Sequence, residues 1–125
     1  MSSILVIDDD PSILATIAEV LADEGYSVQT ASNGAEGLAT LSEHLPSLVL
    51  LDMRMPVLDG WGFMDALHKR GIQLPIVVMT AAQDARKWGL EIGAAESLAK
   101  PFDLINLLAI VDRLTNNNGL ISHVT

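Results

Sequence analysis

The chain has 125 residues, which suits one domain, and its composition excludes several kinds of protein. Because it contains no cysteine, disulfides, zinc–thiolate sites and thiol catalysis are excluded. The 16 acidic and 7 basic residues give a net charge of −9, which disfavours direct binding to nucleic acid or to an anionic membrane. No apolar stretch approaches the roughly 20 residues of a membrane span, and a signal peptide's basic start is missing, so we expect a cytoplasmic protein.

The chain begins with a predicted strand, a helix and a second strand. The apolar run Ile4–Ile7 predicts the first strand. Asp10 is typical of a helix N-cap because Pro11 follows it, and Gly25 is typical of the end of that helix. We therefore interpret Asp10 as a cap rather than as a ligand. The second strand is predicted at Ser27–Ala31.

The middle of the chain continues this alternation of strands and helices. A second helix is predicted after Asn33, and the third strand at Leu48–Leu51. A third helix is predicted after Asp59, where a glycine follows, and the fourth strand at Ile76–Met79. Runs of Ile, Val and Leu without alternation are typical of strands that are buried on both faces.

The last elements are a fourth helix at roughly Asp84–Ile92, a strand at Ser97–Ala99 and a fifth helix from near Asp103 to about Leu114. The five strands begin about 21 to 28 residues apart, and this spacing favours parallel strands joined by helices over hairpins. The sequence therefore predicts an α/β domain, a doubly wound parallel sheet of five strands with helices on both faces.

Residues with reactive side chains follow four of the five predicted strands. Ligands of a parallel α/β sheet bind beyond the carboxyl ends of its strands, so these residues are candidates for one shared site. They are Asp8 and Asp9 after the first strand, Asp52 after the third, Thr80 and Ala81 after the fourth, and Lys100 after the fifth. The strand order 2-1-3-4-5, common in doubly wound sheets, places the remaining strand at the margin.

The predicted cluster of three carboxylates is unfavourable without a cation. At about 5 Å and an effective dielectric constant near 20, each pair costs on the order of 3 kcal/mol. Oxygen ligands with room for water and phosphate suit Mg²⁺. A carboxylate can also act as a nucleophile and become an aspartyl phosphate. Lys100 would supply a positive charge and Thr80 a hydroxyl donor, so the residues together predict a site of phosphoryl transfer.

Four segments resemble the receiver domain of bacterial two-component response regulators, as found in chemotaxis receivers: ILVIDDDPSI, LLDMRMPVLDG, VVMTA and KPF. They occur in the expected order and cover residues from about 4 to 114. The resemblance implies a flavodoxin-like (βα)5 fold. It also implies that residues 1–115 form the receiver domain. Residues 116–125 begin with three asparagines and a glycine, which do not continue a helix well, so we interpret them as a tail or the start of a linker.

The resemblance assigns roles in metal binding and phosphorylation. It implies that Asp52 is the phosphoacceptor and also a metal ligand. Asp9 would bind Mg²⁺ directly, and Asp8 would bind it through water. Arg54 would offer its backbone carbonyl to the metal.

Other residues would hold the phosphoryl group. Thr80 resembles the switch hydroxyl, Ala81 offers a backbone N–H, and Lys100 resembles the lysine that contacts the phosphate and that often precedes a cis proline. The implied donor is a sensor histidine kinase or a phosphotransfer protein, and the chain would catalyse only its own phosphorylation and dephosphorylation. The face formed by helix 4, strand 5 and helix 5 would bind an effector or a second copy.

Two positions depart from the family pattern. Ser97 stands where family members often carry Tyr or Phe, so a coupled rotation of an aromatic ring is excluded. Trp88 takes a position in the fourth helix that is usually charged, and we expect it to lie on the output face and to report phosphorylation more strongly than Trp61. The fifth helix is apolar over more than half its circumference, so it is either well buried or a contact face.

One alternative function uses similar residues, and another uses the same topology. A haloacid-dehalogenase-type phosphohydrolase also uses Mg²⁺ and an aspartate nucleophile, and the segment that starts at Asp8 imitates its D-x-D-x-T motif. That alternative leaves the segment LLDMRMP unexplained, and it requires a further acidic motif after Lys100. A flavin-binding module would want phosphate-binding loops rich in glycine and more than the five aromatic residues present.

Overall fold

A computed structural model describes residues 2–115, with the backbone only at residue 82. Five parallel strands form one sheet in the order β2-β1-β3-β4-β5, as predicted. The elements are β1 Ser3–Ile7, α1 Pro11–Asp23, β2 Ser27–Ala31, α2 Gly34–Glu43, β3 Leu48–Asp52, α3 Gly60–Lys69, β4 Ile76–Ala81, α4 Ala82–Ile92, β5 Glu96–Lys100 and α5 Leu104–Thr115. None of the helices in this part of the chain has the length and apolar character needed to span a bilayer.

The sheet is buried on both faces, and β1 illustrates the arrangement. Leu5 and Ile7 pack with Phe63 of α3 in a core that also includes side chains of α2 and α4. Ile4 and Val6 point to the opposite face and pack against α1 and α5. Side chains alternate between the faces of a strand, and both faces are covered here. This two-sided burial explains why the strands appear in the sequence as continuous apolar runs.

Three strands extend further than their apolar runs. β3 ends at Asp52, β4 at Ala81 and β5 at Lys100. In the ladders Asp52 pairs with Met79, and Ala81 pairs with Lys100. Asp52 and Lys100 are therefore the last residues of their strands rather than the first residues of loops. Hydropathy could not show this, because backbone pairing continues through polar residues.

The start of α1 confirms the predicted cap. The Asp10 carboxylate accepts hydrogen bonds from the backbone N–H groups of Ser12 and Ile13, at 2.8 and 3.4 Å, and Pro11 is the first helical residue. α5 is buried on one side only, because Leu107, Ile110 and Val111 are buried while Ile105 is 82% exposed.

The expectation that Trp88 lies on an exposed output face is wrong. Its side chain is only 8% exposed and belongs to the core that also contains Phe63. On α4 the exposed positions include Lys87 and Leu90, whereas Ala85 and Trp88 are buried. These buried residues are three positions apart, so they share one face of the helix.

Candidate functional site

Three carboxylates meet at the carboxyl ends of β1 and β3. One oxygen from each of Asp8, Asp9 and Asp52 lies within 4.8 Å of the others. The strands bring them together because the ladder pairs Ile7 with Leu51, so the next residues, Asp8 and Asp52, lie side by side. Asp8 and Asp52 are buried, and Asp9 is exposed. The predicted acidic cluster is therefore present.

Lys100 reaches into this cluster from the end of β5. Its Nζ atom lies 2.7 Å from Oδ2 of Asp8 and 3.5 Å from Oδ1 of Asp52. Burial lowers the pKa of Lys100, but the hydrogen bond to Asp8 and the charges of both carboxylates outweigh it, so the pKa lies above its ordinary value. The ammonium group is therefore charged at neutral pH and offsets part of the negative charge.

Asp8 uses both of its carboxylate oxygens within the protein. Oδ2 accepts the hydrogen bond from Lys100, and Oδ1 accepts one from the backbone N–H of Asp10 at 2.9 Å. The backbone N–H of Asp8 donates to the carbonyl of Ala31 at 3.1 Å. The fully buried Asp8 is thus held in place by β2, α1 and β5.

The pKa of Asp52 is raised from 3.8 to about 6. Burial is the largest cause, and the negative charge of Asp8 is the next, with a smaller contribution from Asp9. The charge of Lys100 and a hydrogen bond from the backbone N–H of Arg54 act in the opposite direction. At neutral pH the group is mostly ionised, yet its charge is poorly stabilised, which is the state of a ready nucleophile.

Thr80 and Ala81 lie at the same edge of the sheet, between the ends of β3 and β5. Because Asp52 pairs with Met79, Thr80 is one residue beyond the level of Asp52 in the sheet. Thr80 is buried and Ala81 is exposed. The peptide bond between Lys100 and Pro101 is cis, as the resemblance implied.

Comparison with known proteins gives the family. The response regulator receiver domain matches residues 4–112. The chain belongs to that family. Receiver domains of response regulators are phosphate-accepting signalling modules that work with histidine kinases or phosphotransfer proteins. The match includes the LLDMRMP segment, which the phosphohydrolase alternative left unexplained.

Similar curated proteins are about twice as long as this receiver domain. The transcriptional regulatory protein PrrA of Mycobacterium tuberculosis is 41% identical over 118 residues, which cover 93% of this chain and 51% of PrrA. PcoR of Escherichia coli is 36% identical over 116 residues, with coverages of 91% and 51%. The chain therefore spans about half the length of these relatives.

Two solved structures correspond to the receiver domain over nearly their whole length. The chemotaxis protein CheY4 of Vibrio cholerae superposes with a TM-score of 0.81 at 31% identity and covers 91% of this chain and 98% of its own. The receiver domain of the Francisella response regulator 1452 gives a TM-score of 0.86 at 28% identity, with coverages of 94% and 99%. Both likenesses agree with the strand order seen in the receiver domain.

The oxygen atoms of the acidic cluster fit a magnesium ion. Mg²⁺ prefers carboxylate and carbonyl oxygens and retains several waters. Asp9 is exposed, so water can reach the cluster from its side. Asp8, whose oxygens are already hydrogen-bonded, suits contact through water. The donor set of this receiver domain is thus consistent with Mg²⁺.

The loop between β3 and α3 is fixed by close backbone contacts. The N–H of Gly60 donates to the carbonyl of Met53 at 3.0 Å, and a Cβ atom at Gly60 would lie 2.4 Å from the Met53 sulfur. Val57 has a φ angle of +70°, which is rare for a β-branched residue. The backbone N–H of Gly34, at the start of α2, donates to the carbonyl of Leu58 at 2.9 Å.

Sequence reasoning missed a group of side chains beside the acidic cluster. The guanidinium carbon of Arg54 lies 5.0 Å from the centre of the Trp88 ring, and its Nη2 atom lies 4.0 Å from Oδ2 of Asp84. Trp61 contacts Trp88 edge to face, with 4.7 Å between ring centres. The contacts are tertiary, and the sequence pattern does not show that Arg54, Trp61 and Trp88 meet.

Proposed function

We propose that Asp52 accepts the phosphoryl group in a Mg²⁺-dependent reaction with a sensor histidine kinase or a phosphotransfer protein. The observation that supports this most strongly is the position of Asp52 at the end of β3, buried, beside two further carboxylates and the ammonium group of Lys100. Of the three carboxylates, Asp8 is already hydrogen-bonded by Lys100 and by a backbone N–H. Asp52 is therefore the better nucleophile of the two buried carboxylates.

In the proposed reaction an oxygen of Asp52 attacks the phosphorus of a phosphohistidine. The new O–P bond forms as the P–N bond breaks, and the imidazole leaves with the electron pair and takes up a proton. Because its pKa is about 6, Asp52 is mostly ionised at neutral pH. Mg²⁺ bound by Asp8, Asp9 and Asp52 would supply charge neutralisation for the phosphoryl oxygens.

The remaining residues would bind the phosphoryl group after transfer. Lys100 would exchange its hydrogen bond with Asp8 for one with a phosphoryl oxygen, which is a stronger acceptor. The Thr80 hydroxyl and the Ala81 N–H would donate to the others, and the Arg54 carbonyl would complete the metal ligands. Hydrolysis by water at the same site would return the domain to its resting state, so its catalysis is limited to its own phosphorylation state.

The proposed output surface is formed by α4, β5 and α5, where Leu90 and Ile105 are exposed. An effector or a second copy would bind there. PrrA and PcoR are named transcriptional regulatory proteins, which supports an output that acts on transcription. The kinase partner supports the cytoplasm as its location. We propose residues 1–115 as the receiver unit, and the predicted tail, residues 116–125, lies outside the described residues.

Intact-mass measurement with acetyl phosphate tests the proposed acceptor and metal ligands together. The wild-type chain should gain one phosphoryl group only when Mg²⁺ is present, and Asp52→Asn should gain none. Asp9→Ala should abolish both labelling and Mg²⁺ binding. Asp10→Ala should retain both and lose only about 1 kcal/mol of stability, because Asp10 caps α1. Undiminished labelling of Asp52→Asn, or equal loss of Mg²⁺ binding in Asp9→Ala and Asp10→Ala, would contradict the assignment.

A further inference from the structure

Three side chains from different elements form a stack beside the acidic cluster. Arg54 comes from the β3–α3 loop, Trp61 from the first turn of α3 and Trp88 from the middle of α4. We call this group the arginine–tryptophan stack. The guanidinium lies 5.0 Å from the centre of the Trp88 ring, and the two indole rings meet at 71° with 4.7 Å between their centres. The stack therefore links the loop after Asp52 to α4.

Trp88 is the main apolar anchor of α4 among the residues described there. Its other buried positions, Ala85 and Gly89, have small side chains or none. The N-cap position is Ala81, whose methyl group cannot accept a hydrogen bond from the first turn. Ile92 packs against the same core but is only partly buried, so the position of α4 over the sheet depends mainly on the Trp88 ring.

The Trp88 ring is also the principal contact of the Arg54 guanidinium. The Arg54 side chain is 74% exposed, and its distance of 4.0 Å from Asp84 is beyond hydrogen-bond range. An ion pair of that length on the surface contributes little. A cation over an indole face is favourable, and the Trp88 ring, which Trp61 contacts edge to face, offers such a face to Arg54. Arg54 is therefore positioned by the ring.

We propose that Trp88 is a positioning residue for metal binding, because it holds the Arg54 side chain and so fixes the backbone of residue 54 at the acidic cluster. The inference rests on the proposed function, in which the carbonyl of Arg54 is a metal ligand. Since coupling between two sites is reciprocal, an ion at the cluster and the position of α4 then influence each other.

The substitution Arg54→Met tests the inference, because electrostatics alone and positioning by Trp88 predict opposite changes in Mg²⁺ affinity. Arg54 is a cation near three carboxylates, so its charge by itself opposes the binding of Mg²⁺. Arg54→Met removes that charge, and a purely electrostatic role predicts tighter Mg²⁺ binding. Positioning through the Trp88 ring predicts weaker binding. Lys69→Met removes an equal charge from the surface of α3, where Lys69 pairs with Asp65, and serves as the matched control.

The experiment is a double-mutant cycle on the dissociation constant of Mg²⁺, measured by calorimetry. Trp88→Leu should raise the constant by about two- to fivefold, the range of a cation–π contact, while Trp88→Phe, which keeps an aromatic face, should change it less. In an Arg54→Met background, Trp88→Leu should change it by less than about 1.5-fold, because the partner is already missing. The backbone amide signal of residue 54 should also shift in metal-free Trp88→Leu.

The outcomes separate this inference from the proposed function. Failure of the wild-type chain to bind Mg²⁺ would remove the proposed function itself. Normal wild-type binding with an equal effect of Trp88→Leu in both backgrounds, or with no effect, would overturn the positioning role alone. If Trp88→Leu does not fold, the comparison of Arg54→Met with Lys69→Met tests the positioning role. Weaker Mg²⁺ binding in Arg54→Met than in Lys69→Met supports that role, and equal or tighter binding overturns it.

Discussion

The raised pKa of Asp52 predicts that Asp52→Asn stabilises the metal-free protein at neutral pH. In the unfolded chain the carboxyl loses its proton near pH 3.8, whereas in the folded chain it keeps the proton until about pH 6. Between these values the folded state holds more protons, so the free energy of unfolding decreases as the pH rises. At about 1.4 kcal/mol per pH unit, the free energy of unfolding is about 3 kcal/mol lower above pH 6 than it is when Asp52 is protonated in both states. A neutral asparagine does not cause this loss of stability.

Urea denaturation in the presence of a chelator measures this effect. At pH 7.5 Asp52→Asn should unfold with a free energy about 3 kcal/mol higher than the wild type, and the gain should shrink to near zero at pH 4, where Asp52 is protonated in the folded wild type. Saturating Mg²⁺ should narrow the gap, because the ion stabilises the folded wild type. Glu19→Gln, which removes one charge from an exposed position in α1, controls for the change in net charge.

The pH dependence is the decisive part of this measurement. A gain of equal size at pH 4 and pH 7.5 would show that the asparagine acts through packing or hydrogen bonding rather than through the charge of Asp52. A gain matched by Glu19→Gln would assign the effect to the net charge of −9. Either result would refute the conclusion that burial and the neighbouring Asp8 destabilise the ionised carboxylate.

Two further predictions concern the β3–α3 loop and are checked by thermal and urea unfolding. Gly60→Ala should lower the free energy of unfolding by about 1–3 kcal/mol, because the new Cβ would lie 2.8 Å from the backbone Cα of Met53, which cannot move aside. Unchanged stability would contradict this close contact. Val57→Asn should raise the free energy of unfolding by about 1 kcal/mol, because asparagine tolerates the φ angle of +70° better than valine. A lower melting temperature would show that the Val57 side chain, although 82% exposed, makes a contact that stabilises the fold by more than the backbone strain costs.

The site could be predicted to the level of residues but not of contacts. Asp8, Asp52 and Lys100 were predictable because each stands at the end of an apolar run and parallel strands bring such ends to one edge. The sequence could not show that Lys100 lies closer to Asp8 than to Asp52, at 2.7 against 3.5 Å. That preference depends on the register of β5, which residue type and hydropathy do not specify.

The prediction for Trp88 failed for a different physical reason. The expected position rested on a family pattern, in which a charged residue marks an exposed face of the fourth helix. In α4 the exposed face instead carries Arg86, Lys87 and Leu90, and the helix buries Trp88. The large apolar side chains of α4 are Trp88, Leu90 and Ile92. Leu90 is two positions from each of the other two, so the three do not share one face, and the sequence pattern leaves the rotation of the helix uncertain. Contact with Trp61 is tertiary, and periodicity does not contain it.

Ser97 determines how closely α4 approaches β5. A Cβ atom at Gly89 would lie 3.3 Å from the Cβ of Ser97, so these two small residues let the helix and the strand meet closely. A ring at position 97 would need space that α4 occupies. Trp88 of α4 instead supplies a ring that lies against the guanidinium of Arg54. Trp61 touches this ring, so removing either tryptophan alters the surroundings of the other. A fluorescence change on phosphorylation therefore reports movement of the pair. A shift of α4 would also disturb the contact between Trp88 and Arg54.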